Sequence, residues 1–402
     1  MEEPNPNSPQ TGEPDQRSAE EQTHPEKSNA SRPIFWLVIV LLVIAGIWYS
    51  VAKKEGEEDT IKIGAVLPLT GNAAVWGERS RKGIDIAVKE INSAGGINSR
   101  ELEIIYEDNL SQAAESVKVL QKLINVDKIK IIIGSVNSPE TLAMAPVAEE
   151  NKVIIIAPGS SSPKVTTAGD YIFRTRVSAE VESLELADKI INTLKLNDIA
   201  LLYRDDDYGH GVGEAVKQHF ENFGGTVKQV EVFLPGATDF KTSLTKIKAK
   251  EPEVILIAAE PKEVGLIMKQ REELGIDTPV LIHSGSKGPE INELAKDAAN
   301  GLIVLNTFDK TSKKTSDFIE KYNIEYGEEA EFVSALAYDA TKILADMIQR
   351  CEIDNECIKD NLYQTKDYQG ASSVLTFDEN GDVIQPFIME VFKSGQFVPY
   401  ED

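Results

Sequence analysis

Two hydrophobic periods alternate along the chain from Ile61 onward. Short β-branched runs, typical of strands buried on both faces, are separated by stretches in which apolar residues recur every three or four positions, as in helices. The run Ile129–Ile133 leads directly into Ser138-Pro139, which predicts a helix start with Ser138 as the N-cap. Further strands are predicted at Ile61–Leu67, Leu102–Tyr106, Val153–Ala157, Ile199–Tyr203, Val227–Phe233, Val254–Ala258, Val280–His283 and Gly301–Asn306, and helices at Gly77–Asn92, Gly211–Phe223, Phe240–Lys250, Val264–Leu274, Ser316–Tyr326 and Val333–Arg350.

The order strand, helix, strand repeats through the first part of the chain, where Ser111 is the expected cap of the second helix. The same order begins again after a predicted helix at Ser178–Leu194. Such alternation is the signature of a parallel, doubly wound sheet, so the pattern predicts an α/β protein with two Rossmann-like lobes. A predicted hairpin around Ser394-Gly395 closes the chain.

The N-terminal part has a different pattern. Residues Met1–Pro33 contain no Val, Ile, Leu or aromatic residue, which predicts an acidic, disordered tail. Residues Ile34–Ala52 carry no charge, and this predicts either a transmembrane anchor or a long signal sequence. The long acidic tail favours the anchor, while the small residues Ser50-Val51-Ala52 keep a cleavage site open. A charged linker, Lys53–Thr60, follows.

Charge and cysteine content narrow the function classes. With 42 basic and 66 acidic residues the formal net charge is -24, which argues against nucleic acid as a partner. The two cysteines, Cys351 and Cys357, either form a small disulfide loop outside the cytoplasm or are two unrelated thiols, and the apolar segment favours the disulfide. Four scattered histidines predict no metal site, and the run Asp205-Asp206-Asp207 is typical of a solvated loop.

A series of motifs from Ile63 onward resembles one known family. The opening IGAVLPLTG at residues 63–71 is followed by Trp76-Gly77-Glu78 and by INSAGGI at residues 91–97. In their order and spacing over residues 60–402, these motifs resemble the branched-chain amino acid (Leu/Ile/Val) periplasmic binding proteins, the substrate-binding proteins of ABC transporters. Further matching motifs are Tyr106-Glu107-Asp108, APGSSSP at residues 157–163, Tyr208-Gly209-His210-Gly211 and FDENGD at residues 377–382.

The resemblance implies a type I periplasmic binding protein fold, whose two lobes close on a small solute. It assigns residues 60–177 and 308–380 to lobe 1, and residues 178–307 and 381–402 to lobe 2. The implied function is capture of an amino acid or a similar small polar solute outside the cytoplasm and its delivery to an ABC transporter permease. No cofactor is implied. The expected location is the cell membrane, with the binding domain held outside by the single-pass N-terminal helix.

The family's ligand-binding positions can be carried over one by one. Ser138, beside Asn137, is expected to offer its hydroxyl and N–H group to the ligand's carboxylate, as a helix N-terminus favours an anion. Ser161 is expected to do the same, and the carbonyl of Ser160 to accept from the ligand's ammonium group. Aromatic residues expected to wall or close the pocket are Trp76, Tyr208 and Phe332.

One position departs from the family pattern. The acid that pairs with the ammonium group in the family aligns with Ser284, and Glu260 follows an adjacent strand instead. Glu260 is therefore expected either to supply the missing charge or, if the ligand lacks an ammonium group, to contact another group such as an amide. A third possibility is that Glu260 is a solvated residue at a strand end.

The sequence also bears on two other function classes. An enzyme is not predicted, because no G-x-S-x-G elbow surrounds Ser138, Ser160 or Ser161 and the histidines show no evident pairing. A membrane-anchored sensor that signals to a partner protein is the alternative to an importer component. Against the sensor, the tail at residues 1–33 is short and polar for an output domain.

Overall fold

The computed structural model describes residues 36–45, 48 and 60–401. The predicted tail at residues 1–33 and nearly all of the predicted linker lie outside these residues. The predicted anchor at residues 34–52 is described only at residues 36–45 and 48, which are helical. Among the helices described, none is both long and apolar enough to cross a membrane.

The first sheet has five parallel strands in the order β2-β1-β3-β4-β5. Because β1 lies between β2 and β3, the chain direction across the sheet reverses there, and the carboxyl ends of β1 and β3 form a switch point. The strands are β1 (Thr60–Leu67), β2 (Glu101–Asp108), β3 (Ile131–Gly134), β4 (Ile154–Ala157) and β5 (Ile172–Arg174), with helices α1 (Ala74–Ser93), α2 (Ala113–Asn125) and α3 (Ser138–Asn151) between them.

A second set of alternating elements follows. Its five strands are parallel in the order β7-β6-β8-β9-β10, so a second switch point lies between β6 and β8. The elements are β6 (Asp198–Arg204), β7 (Thr226–Phe233), β8 (Val254–Ala258), β9 (Val280–Ile282) and β10 (Ile303–Asn306), and α4 (Ala179–Asp188), α5 (Asp207–Asn222), α6 (Lys241–Lys248), α7 (Pro261–Glu273) and α8 (Glu290–Ala295).

The last part of the chain adds to both sets. Helix α10 packs along α1, and a small antiparallel sheet forms from β11, β12 and β13. The hairpin predicted around Ser394-Gly395 is confirmed, and it extends the second sheet, with β14 antiparallel to β10 and β15 antiparallel to β14. The elements are α9 (Lys313–Tyr326), α10 (Phe332–Cys351), α11 (Asn355–Tyr363), β11 (Tyr368–Gln369), β12 (Val374–Phe377), β13 (Val383–Ile384), β14 (Ile388–Lys393) and β15 (Gln396–Pro399).

Each large sheet is buried on both faces, as the continuous β-branched runs predict. Along β1, Ile61 and Ile63 contribute to a core shared with α1 and α10, whereas Val66 faces a second core shared with α2 and α3. Helix α1 approaches α10 so closely that a Cβ atom on Gly83 would lie 2.0 Å from the carbonyl oxygen of Ser334. The division of the chain into lobes at residues 177, 307 and 380 stays a prediction.

Two predicted N-cap residues are each wrong by one position. Ser138 is the first residue of α3, and Asn137 holds the N-cap position without a side-chain cap bond. Ser111 does not cap α2, because its hydroxyl donates to the carbonyl of Thr70 and accepts from the N–H of Ala73. Both serines thus form bonds between segments that are remote in sequence, which a local capping pattern cannot reveal.

The two cysteines lie on either side of the loop between α10 and α11. Cys351 ends α10 and Cys357 lies in the first turn of α11, with their Cα atoms 5.6 Å apart and their sulfur atoms joined as a disulfide. The disulfide alternative is therefore the one that the structure contains. The bond links the end of α10 to the start of α11, and both helices pack against the first sheet.

Candidate functional site

A cavity of about 220 Å³ lies where the two switch points face each other. Its wall includes residues that follow β1, β3 and β4 of the first sheet and residues that follow β5, β6, β8 and β9. Open α/β sheets bind ligands outside the carboxyl ends of their strands at such points. Seven of the eight residues predicted to bind ligand line this cavity: Trp76, Asn137, Ser138, Ser161, Tyr208, Glu260 and Phe332.

Two serines present hydrogen-bond donors to the cavity. The N–H groups of Ser138 and Ser161, and the hydroxyl of Ser161, have no hydrogen-bond partner within the described part of the chain. The Ser138 hydroxyl accepts from the N–H of Ser162 at 3.1 Å, which joins the two loops. Gly159 permits this approach, since a Cβ atom there would lie 2.5 Å from the carbonyl oxygen of Val136. The loops therefore offer several donors to one anionic group.

Ser160 lies behind the cavity wall. It is fully buried, and its hydroxyl is 2.7 Å from that of Thr141. Its carbonyl accepts from Nη1 of Arg174 at 3.4 Å. Among the eight predicted residues, Ser160 is the one that the structure does not bring to the cavity.

Three aromatic side chains form the apolar part of the wall. The rings of Trp76 and Phe332 lie 5.4 Å apart, so the start of α1 and the start of α10 close one side together. Tyr208 lies in the first turn of α5, in the second set of elements, and its hydroxyl is 3.1 Å from Nδ1 of His283 and 3.3 Å from Oγ of Ser286. Burial raises the pKa of Tyr208. These rings suit an apolar part of a ligand.

Glu260 has partners for both of its carboxylate oxygens. Oε2 accepts from the indole Nε1 of Trp76, and Oε1 accepts from the guanidinium of Arg204. Burial raises the pKa of Glu260, and Arg204 and Trp76 partly oppose that shift. The indole of Trp76 belongs to the first set of elements and Glu260 to the second, so this bond bridges the cleft. A neighbouring bridge joins Arg79 Nη2 to Glu290 Oε1 at 2.9 Å.

A buried charged cluster occupies the region of Ser284. The carboxylate of Glu182 accepts from the N–H of Ser284 at 2.7 Å and from its hydroxyl at 2.6 Å, and lies 3.0 Å from Nε2 of His283. The same hydroxyl accepts from Nη2 of Arg176 at 2.5 Å. Burial would raise the pKa of Glu182, but the charges of His283 and Arg176 and the bonds from Ser284 lower it. A carboxylate thus lies beside Ser284, already neutralised by its neighbours.

Sequence reasoning missed four charged residues of the wall. Arg176 follows β5, which is too short for its period to be read, and its guanidinium lies 4.8 Å from the centre of the Phe332 ring. Burial lowers the pKa of Arg176. The other three residues lie at or after the carboxyl ends of β3 and β6, and the predicted strand order could have indicated them because ligands bind at such switch points. They are Glu140, Arg204 and Asp206.

The arrangement suits binding better than catalysis. Oγ of Ser138 serves the contact between the two loops, and His283 is held between Glu182 and Tyr208 rather than beside a serine of the cavity. Within residues 36–45, 48 and 60–401, no group of three His, Cys, Asp or Glu side chains is placed to hold a metal ion.

Comparison with known proteins identifies the family. A family model described as periplasmic binding protein matches residues 60–396. The chain belongs to this family. The match covers both sets of alternating elements and the loops that line the cavity, and it confirms the resemblance indicated by the sequence motifs. The type I α/β fold expected from that resemblance is confirmed as well.

Named relatives bind aliphatic amino acids. The leucine-, isoleucine-, valine-, threonine- and alanine-binding protein of Pseudomonas aeruginosa is 28% identical over 329 residues, which are 81% of this chain and 87% of the relative. A leucine-binding protein of Thermotoga maritima has a TM-score of 0.79 at 29% identity, covering 85% of this chain and 98% of that one. A branched-chain amino acid transporter binding protein of Streptococcus pneumoniae, solved with isoleucine, gives the same TM-score and identity over 84% of this chain and 97% of that one.

Proposed function

We propose that the protein captures an amino acid or a similar small polar solute in the cavity between its lobes and delivers it to an ABC importer. The observation that carries this proposal is the group of unpartnered donors at Ser138 and Ser161 beside the Trp76–Phe332 wall. A carboxylate satisfies such donors, and an apolar side chain suits the rings. The amino acid specificity of the named relatives supports the same class of solute.

Closure of the two lobes is the proposed mechanism. A solute held first by the serine loops would be enclosed when Tyr208 and the segments around Glu260 come against it. The solute then stabilises the closed state by as much as its affinity for that state exceeds its affinity for the open one. A permease that recognises the closed form would receive loaded protein in preference to empty protein.

The proposed location is outside the cytoplasm, with the uncharged segment at residues 34–52 as a membrane anchor. The segment's length and lack of charge support this assignment, as does the disulfide between Cys351 and Cys357. Fractionation of cells that express the full-length chain tests it. A membrane-bound protein that resists carbonate extraction supports the anchor, and a freely released protein contradicts it.

The test of solute binding is a thermal-shift screen of the purified full-length chain against amino acids and short carboxylates, followed by calorimetry. A ligand at one hundred times its Kd stabilises the folded state by about 2.7 kcal/mol. Ser161→Ala should weaken a carboxylate ligand roughly 10-fold, since a bond to a charged group is lost. It should leave the empty protein's melting temperature unchanged, because that hydroxyl has no protein partner in the described part of the chain.

The matched control is Ser93→Ala at the exposed end of α1. We expect this variant to bind as the wild type does. If no amino acid or carboxylate stabilises the wild type, or if Ser161→Ala and Ser93→Ala bind equally well, the proposed use of the serine loops is wrong.

A further inference from the structure

Three acidic side chains line the cavity, and two of them are already neutralised. Glu260 accepts bonds at both oxygens from Trp76 and Arg204. Asp206 accepts from the N–H of Gly209 at 2.8 Å with Oδ1, and its Oδ2 forms a salt bridge of 2.9 Å with Nη2 of Arg204. These carboxylates therefore have little capacity left for a positively charged group of a solute.

The third acid, Glu140, is different. Its side chain is buried, with 3% of the residue exposed, and Oε2 has no hydrogen-bond partner within the described part of the chain. Its other oxygen accepts a long bond of 3.3 Å from the amide of Asn137, and the backbone N–H of Glu140 itself also interacts with the carboxylate. Burial raises the pKa of Glu140, the bonds from its own backbone N–H and from Asn137 partly oppose that shift, and the nearby charges of Asp206 and Arg204 act in opposite directions. A buried carboxylate without a paired cation is unfavourable, and no cationic side chain of the described residues forms a salt bridge with Glu140.

The position of Glu140 in the first turn of α3 does not by itself explain why an acidic side chain is buried there. An acidic residue in the first turn interacts favourably with the helix dipole, but that interaction is available at an exposed position where desolvation costs little. Glu140 instead lies against the cavity, two residues after Ser138. The same helix start thus presents a donor for an anion and an acceptor for a cation side by side.

We propose that Glu140 binds a positively charged nitrogen of the captured solute and so selects cationic or zwitterionic solutes over simple carboxylates. This inference rests on the proposed solute-binding function. The negative charge that binds the nitrogen then comes from the start of α3 and not from Glu260 or from the position of Ser284, where the family motifs predict it. The nitrogen is either an α-ammonium group or a cation at the end of a side chain, and the test separates the two.

The test is calorimetry on the purified full-length chain with two pairs of probes. L-leucine and 4-methylpentanoate differ in the α-ammonium group, and L-lysine and L-norleucine differ in the side-chain ammonium group. The variant is Glu140→Gln, which keeps the shape of the side chain. Its matched control is Glu150→Gln, at an exposed position on the same helix. Thermal unfolding of the empty proteins checks that both variants fold.

The expected result is a selective loss. Glu140→Gln should weaken the probe whose nitrogen it binds by roughly 10- to 100-fold, the range expected for a bond to a charged group. The probe of the pair that lacks this nitrogen should lose little, and Glu150→Gln should match the wild type. Loss for L-leucine, L-lysine and L-norleucine alike, with 4-methylpentanoate unaffected, identifies the α-ammonium group, whereas loss for L-lysine alone identifies a side-chain cation.

Other results overturn the inference in distinguishable ways. If Glu140→Gln keeps the wild-type preference within both pairs, Glu140 does not bind the nitrogen although solute binding stands. If the wild type binds 4-methylpentanoate and L-norleucine better than their charged counterparts, cation recognition fails while carboxylate binding survives. If no probe, and no compound of the wider screen, binds the wild type, the proposed function fails and the inference with it.

Proton release gives a second, independent readout. A cation that binds Glu140 lowers its pKa, so binding should release protons at mildly acidic pH and progressively fewer as pH rises. Calorimetry in buffers of different ionisation enthalpy measures this release. The release should disappear in Glu140→Gln and persist in Glu150→Gln, and an unchanged release in Glu140→Gln would contradict the inference.

Discussion

At the scale of single residues, one buried ion pair joins β5 to the turn before β13. Arg174 is fully buried, with Nε 2.5 Å from Oδ1 of Asp382 and Nη2 2.6 Å from Oδ2. The guanidinium also donates to the carbonyl of Ser162 at 2.9 Å and to the hydroxyl of Thr166 at 2.7 Å. All of these partners lie close behind the serine loop of the cavity, so the pair supports the position of Ser161.

Removal of one partner should be strongly destabilising. Asp382→Asn leaves the Arg174 charge buried without its counter-ion, and we expect the free energy of unfolding to fall by about 3 kcal/mol. Urea unfolding measures the change. Asp360→Asn, at an exposed position on α11, is the control and should be neutral. Equal stability of the two variants would show that the ion pair does not hold this region together.

A second residue predicts how stability depends on pH. Asp339 is fully buried in α10 and accepts from the N–H groups of Ala371 and Ser372, yet burial raises its pKa to about 6. The folded state therefore holds a proton that the unfolded state releases at lower pH. This group's contribution to stability should fall by roughly 3 kcal/mol as pH rises from about 4 to about 6.

Asp339→Asn tests this dependence, because an amide does not titrate. The difference in free energy of unfolding between wild type and variant, measured by urea unfolding across this pH range, should move in favour of the variant as pH rises. A difference that stays constant with pH would mean that Asp339 titrates alike in the folded and unfolded states.

At the scale of elements, close backbone approach governs how α1 and α10 pack. Gly83 faces the carbonyl of Ser334, and any Cβ atom there would lie 2.0 Å from that oxygen. These two helices carry Trp76 and Phe332 at their first turns, so their spacing also sets the distance between the two rings of the cavity wall.

Gly83→Ala should force the two helices apart. Overpacking of this kind costs typically 1–3 kcal/mol, so we expect a lower melting temperature together with weaker solute binding, because the aromatic wall moves. Differential scanning calorimetry and solute titration measure the two effects. Gln349→Ala, at an exposed position of α10, should change neither. Wild-type stability in Gly83→Ala would mean that the helices can separate at little cost.

At the scale of the whole molecule, bonds across the cleft favour the closed arrangement. Trp76 donates to Glu260, and Arg79 pairs with Glu290, both from α1 to elements of the second set. Because Arg204 holds the other oxygen of Glu260, the indole bond meets a carboxylate whose position is already fixed. The residues at the cleft thus divide between those proposed to face the solute and those that bond the first set of elements to the second.

Trp76→Phe separates these two roles, since it keeps a ring against Phe332 but removes the indole donor. Solute affinity should fall roughly 10-fold, mainly through faster release, because the open state gains population. Small-angle scattering of the empty variant should give a larger radius of gyration than that of the wild type. Tyr363→Phe, which loses a bond to Asp170 away from the cavity, is the control. If Trp76→Phe keeps the solute affinity and the radius of gyration of the wild type, the bond from Trp76 to Glu260 does not favour the closed arrangement.

The sequence by itself determined the architecture and seven residues of the cavity wall. Continuous β-branched runs predict strands buried on both faces, and apolar residues at helical spacing predict helices buried on one face. The order in which these elements alternate predicted both sheets, and the pattern near the end of the chain predicted the final hairpin. Family motifs led to seven residues of the wall, including Ser138 and Ser161. These features could be predicted because burial and helix starts leave a local pattern that does not depend on distant partners.

Only the tertiary structure decided which polar groups are already paired. Glu260 was expected to contact the ligand or to be solvated, but its carboxylate accepts a bond from Trp76, 184 residues away. Ser160 was expected to contact the ligand but lies buried behind the wall. Glu140 was not singled out by its sequence, and its importance follows from its burial and from an oxygen that has no hydrogen-bond partner within the described residues. The charge available to a solute depends on contacts between segments remote in sequence, and no local pattern records which carboxylate those contacts leave without a partner.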